Sequence, residues 1–258
     1  MINLITADFF RLKKNKINYV VLVAIFLLVF ISIHQKKIIY ALSPNDTYSE
    51  FYAKLAYYGN GTFTGMNALQ IMANAATLLP FTLIPAFTIL LINEMRKRVY
   101  VNILSKSQNR IQYFFAKLAT LNIVTIFIYS YYFLLSFIIG SLLNGVGEVD
   151  THVMLKIIYT IALQMLLQIS WNTLCTAFLV ATGLNGFVLA IYIGAPFLFT
   201  IFSNVIPTLS YFSLISLLDN VSFIPIIDMK QEALIISCIT IIVSIVVGSL
   251  LFNRRNLK

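Results

Sequence analysis

Glu94 is the one acid in a strongly basic stretch, EMRKRVYVNILSKSQNRIQYFFAK over residues 94–117, which carries Arg96, Lys97, Arg98, Lys106, Arg110 and Lys117. Apolar residues recur within it at Val99, Val101, Ile103, Leu104, Ile111, Phe114 and Phe115, so the stretch reads as a basic, partly amphipathic helix. Such a helix either fixes topology by lying against anionic lipid or serves as a docking surface for a partner. Glu94 itself is either a solvated helix end with a local ion pair or an anchor that makes partner motion into helix motion. Bond-making chemistry has little to work with. There is no Gly-x-x-x-x-Gly-Lys-Ser/Thr loop, and no Gly-Lys pair at all, so nothing is set to cradle a nucleotide phosphate. A zinc-protease His-Glu-x-x-His and a Gly-x-Ser-x-Gly elbow are both missing. Cys175 and Cys238 fall inside apolar runs and read as small apolar fillers. No acid falls deep within an apolar run, which disfavours a proton-coupled carrier.

Two further polar sets lie within apolar surroundings. Asn67, Gln70, Asn74 and Thr77 recur every three or four residues and share one helix face; Gln164, Gln168 and Asn172 form a ridge beside Trp171. Each set either lines a path or ties helices together by hydrogen bonds. Pro80, Pro85, Gly194 and Pro196 are bend points, serving either a gate or ordinary kinking.

The elements that must position these residues are membrane spans. Of 258 residues 60% are hydrophobic and 10% charged, with a mean hydropathy of +0.89, a balance that a soluble chain of this length does not have. The expected architecture is an all-α polytopic membrane protein, one transmembrane unit over 1–258, with spans at 17–33, 67–93, 118–143, 153–181, 187–206 and 233–252. Residues 1–16 place Leu4, Ile5, Phe9 and Leu12 along one side and are expected to form an interfacial helix, with Asp8, Arg11 and Lys13 off that side. Residues 207–230 are too polar to span and too apolar for a free loop, so they read as a re-entrant or interfacial helix pair on the outer face, broken near Asp219–Asn220 and Pro225. The turn at 182–186 is short enough to make its flanking spans antiparallel neighbours. Thirteen of the 18 Lys and Arg, but only Asp8 and Glu94 of the nine acids, fall on the side holding both ends and the 94–117 stretch. That side is expected to be cytoplasmic, with both termini inside the cell membrane. The net charge of +9 therefore belongs to loops flanking spans and not to a nucleic-acid surface.

Glu94, Asn102-Ile103-Leu104-Ser105, Asn109-Arg110 and Lys117 together resemble the first cytoplasmic loop of the type 2 ABC export permeases. In that loop an acid closes a span, a short helix with a leucine–serine pair follows, and then come a polar residue, an arginine and a lysine that opens the next span. The resemblance implies a coupling helix between spans 2 and 3, with Glu94, Arg96, Arg98, Val101, Leu104, Ser105 and Arg110 taking the thrust of a cytosolic ATPase subunit. It implies a re-entrant segment before span 6, and a pairing with a second permease copy or a sister permease in which spans 2 and 5 meet at the seam. Asn67, Gln70, Asn74, Thr77, Pro80, Pro85, Gly194 and Pro196 would then lie along the path. No cofactor or metal is expected on this chain; ATP and Mg would sit on the partner. Compact six-span permeases of this kind resemble those for peptide antibiotic or lantibiotic immunity or export. The other reading is a non-transporting membrane scaffold or sensor that binds a cytosolic partner through the same loop.

Overall fold

The computed structural model describes residues 1–35, 63–97, 100–101, 109–148, 151–203, 205–221 and 230–254. Among them 92% are helical and none lies in a strand. Six helices are long and apolar enough to cross a membrane. The elements are α1 (Ile2–Lys14), α2 (Lys16–Gln35), α3 (Gly65–Asn74), a broken stretch from Ala75 to Arg96 called span 2 here, α7 (Arg110–Asn144), α8 (Thr151–Thr182), α9 (Asn185–Ser203), α10 (Leu214–Asn220) and α11 (Lys230–Arg254). Every expected span has its helix. The third begins eight residues earlier than hydropathy places it, because Asn109 caps it, its Oδ1 accepting the Ile111 N–H at 3.0 Å.

Span 2 differs most from a simple helix. A 3-10 turn (Ala75–Leu78) leads into α4 (Leu79–Thr82), α5 (Ile84–Phe87), a π turn (Thr88–Ile92) and α6 (Asn93–Arg96). Pro80 and Pro85 each remove a ladder donor, and the chain re-forms its helix after each. A membrane tolerates such backbone only where protein encloses it. Accordingly, 61% of the residues in the most apolar 18-residue stretch of span 2 are buried, against 17% in that of α11. Neighbours supply donors to the last turn of α3, just before the 3-10 turn: the Tyr132 hydroxyl donates to Met72 O at 2.9 Å and Gln164 Nε2 to Ala73 O at 2.8 Å. Phe87 stacks on Tyr192 and Phe81 on Phe197, so spans 2 and 5 meet within one chain.

The remaining packing rests on small residues and short turns. A Cβ added at Gly140 would fall 2.8 Å from Ala68 Cβ, and one at Gly248 2.7 Å from Ala177 Cβ, so α7 approaches α3 and α11 approaches α8 backbone to backbone. Gly183, at φ +69°, turns α8 into α9. The start of α3 and the end of α7 are pinned by Gly65 N–H to Gly145 O (2.9 Å) and Met66 N–H to Val146 O (3.0 Å). Residues Pro207–Phe212 form a 3-10 helix and fold back with α10 onto α9, where the Ser213 and Thr200 hydroxyls lie 2.6 Å apart. Asp219 and Asn220 fall at the end of α10; the Asp219 side chain and Pro225 lie outside the described residues.

Candidate functional site: a buried charge cluster joining α1, span 2 and α7

Asp8 is 2% exposed, which corrects the expectation that it falls off the packed side of the first helix. It lies four residues from both Leu4 and Leu12, so helical geometry centres it on the apolar stripe. Arg11, three residues on, follows it. From α7, Tyr113 and Lys117, one turn apart, present the same face. From span 2 comes Glu94, one residue past the π turn. The Asn93 N–H bonds to Thr88 O, five residues back, and that wider turn sets the direction of the helix end.

Lys117 Nζ donates to both Asp8 carboxylate oxygens at 2.6 and 2.8 Å and lies 2.9 Å from Glu94 Oε2. Arg11 pairs with Glu94 Oε1 and lies 3.6 Å from Asp8 Oδ1. The Tyr113 hydroxyl donates to Glu94 Oε2 at 2.6 Å, and Lys117 Nζ sits 5.3 Å from the Tyr113 ring centre. Two anions and two cations balance. The Lys117, Asp8 and Glu94 side chains are 1%, 2% and 5% exposed, whereas that of Arg11 is 39% exposed and reaches the surface. Burial at this depth makes each partner obligatory, because removing one leaves an uncompensated charge in a low-dielectric setting. The arrangement ties α1, span 2 and α7 together through buried charges, as a structural anchor.

Around this anchor, Arg96 and Lys97 are exposed, Tyr100 is buried and Val101 is half-buried against the core. Arg98, Leu104 and Ser105, with most of the expected coupling helix, lie outside the described residues. Arg110 donates from Nη1 to Asn253 O at 2.9 Å, capping the end of α11 and tying the start of α7 to the last helix. A cavity of about 650 Å³ lies beside the cluster, lined by Arg11, Lys14, Lys16, Lys97 and Glu94.

The second polar set forms a network of its own. Asn172 Nδ2 donates to Thr125 Oγ1 at 2.8 Å; its Oδ1 accepts from the Tyr192 hydroxyl at 2.8 Å and from Gln168 Nε2 at 3.0 Å. With Gln164 on Ala73 O, the ridge on α8 bonds to α3, α7 and α9, which is the interhelical alternative of its two readings. Gln70 and Thr77 are buried and Asn67 is half-buried. The 3-10 turn falls between Asn74 and Thr77, so the regular face expected for the four does not run its full length; the Asn74 side chain lies outside the described residues. Pro80 and Pro196 are buried, and a Cβ at Gly194 would meet open space.

No signal in residue spacing pairs position 8 with position 117. One signal was available: Asp8 and Glu94 are the only acids on the basic side of the chain, and both go to Lys117. No protein-family model matches the chain, and no curated protein matches it.

Proposed function

We propose that this chain is the membrane-spanning permease subunit of an ATP-driven exporter, worked by a separate cytosolic ABC ATPase subunit that docks on the basic segment between Glu94 and Lys117. One observation carries the reading. Glu94 and Lys117 bracket that segment, and they are bonded to each other and to α1 in a buried cluster. A thrust delivered to the segment therefore enters span 2, α7 and α1 together. Span 2 is the element suited to respond, with its two prolines, 3-10 turn and π turn inside the bundle. The physical content is differential binding: the ATPase must hold one arrangement of these helices more tightly than the other.

In this reading the 94–117 side is cytoplasmic, α1 lies at the inner membrane surface, and the Pro207–Asn220 helices are the outer re-entrant segment. Two permease copies, or this chain and a sister, pair. The Tyr- and Phe-rich, uncharged spans suit an amphipathic peptide or lipid-like cargo. The test is co-purification of the ATPase from the native membrane. Leu104→Asp, or charge reversal at Arg96 and Arg98, releases the ATPase while the permease keeps its yield and monodispersity. Retention of the ATPase by both variants at normal yield refutes the docking role.

A further inference from the structure

On the other flank of the α1–α2 junction lies a cavity of about 350 Å³. That is more than twice the roughly 150 Å³ of an apolar cavity that accepts benzene. Its walls come from four elements: Leu12 of α1, Leu22 of α2, Ala86 of span 2, and Val124 and Phe127 of α7. Its polar members are largely committed elsewhere. The Asn18 amide donates to Leu12 O at 2.7 Å, and the Thr82 hydroxyl donates to Leu79 O at 2.7 Å. At the mouth stand Lys13, exposed, and Tyr19 and Phe127, 52% and 56% exposed. Lys14 and Lys16 adjoin Lys13, and no acid occurs from residue 9 to residue 35. The junction that carries these lysines is fixed: Asn15 ends α1 and caps α2, its Oδ1 accepting the Ile17 N–H at 3.0 Å.

We infer that this cavity seats one acyl chain of an anionic phospholipid, drawn from the leaflet on the side of α1, with its headgroup phosphate on Lys13 and in the positive field of Lys14 and Lys16, which line the larger cavity across the junction. An apolar slot lined by span residues selects a hydrocarbon ligand. The exposed aromatic rim opens toward the bilayer, which makes the membrane the source. The lysines sit where α2 enters the membrane, at headgroup depth, and their charge selects an anionic head over a zwitterionic one. The seat borders the bend of span 2, since Thr82 and Ala86 lie between and just after Pro80 and Pro85. The inference rests on membrane insertion alone and holds whatever drives the protein.

A tryptophan probe reads the seat directly. In a Trp171→Phe background, Phe127→Trp is reconstituted with bromine-tagged phosphatidylglycerol or bromine-tagged phosphatidylcholine in unlabelled vesicles. Surface lysines contribute about fivefold each to anionic lipid binding, so quenching by the phosphatidylglycerol should set in at a mole fraction at least about tenfold lower. Lys13→Gln/Lys14→Gln/Lys16→Gln should erase that preference. Leu134→Trp, on the lipid-exposed face of the same helix, should show none. Equal quenching by both lipids at position 127, or a preference that survives in the triple variant, overturns the inference. So does native mass spectrometry in which Ala86→Phe retains the phosphatidylglycerol that the wild-type chain retains.

Discussion

Replacing Lys117 by Met tests whether the charge cluster is an anchor. The side chain keeps its length and loses its ammonium. Asp8 then loses both short bonds and keeps only Arg11 at 3.6 Å, while Glu94 keeps Arg11 and Tyr113. The buried group passes from neutral to one net negative charge. Breaking a buried pair in this way costs about 3–5 kcal/mol. At roughly 2–4 °C per kcal/mol for a chain of this size, the unfolding midpoint in detergent should fall by about 6–20 °C. Asp8→Asn should fall by a similar amount, with the opposite charge left over. The decisive measurement is Asp8→Asn/Lys117→Met, which leaves the Arg11–Glu94–Tyr113 group neutral; its midpoint should lie above that of either single variant. Strictly additive losses, or a single-variant loss under about 2 °C, would show that these charges are solvated and hold nothing together.

Asn172→Leu removes three hydrogen bonds among α7, α8 and α9, each about 0.6 kcal/mol on average in a membrane bundle, so the midpoint should drop by about 4–7 °C. An unchanged midpoint with impaired transport would instead assign Asn172 to the cargo path. Gly248→Ala should cost about 1–3 kcal/mol, because its new Cβ meets Ala177 Cβ at 2.7 Å and Ala177 Cα at 3.1 Å; Gly186→Ala, whose Cβ meets nothing within 4 Å, is the control and should cost nothing in the same melting assay.

What could be read from the residues follows the forces involved. Hydropathy over some twenty residues is a summed signal, so all six helices long and apolar enough to cross a membrane, the short turn at Gly183 and the helix before α2 were legible. The ridge Gln164–Gln168–Asn172 was legible as a helix face, with both uses open; only the placement of Thr125, Tyr192 and Ala73 decided between them. Asp8 shares the stripe of Leu4 and Leu12, a position at which the apolar pattern alone excludes a charge. Its true position follows from the same spacing once a buried cation is available to meet it. The π turn before Glu94 and the 3-10 turn before Pro80 have no composition of their own. The 3-10 turn follows the two α3 carbonyls that Tyr132 and Gln164 bond, a tertiary circumstance that local sequence does not record.

The bond between Asp8 and Lys117 spans 109 residues of chain, with two helices long and apolar enough to cross a membrane between its ends. It closes only if the number of crossings between them is even. A nascent chain that skipped α2 or span 2 would strand Lys117 across the bilayer from Asp8, leaving an ionised amine unmatched in a closed interior. Residue 117 is the last of the cluster's members in chain order, so the cluster closes only once α1, α2, span 2 and the start of α7 are in place.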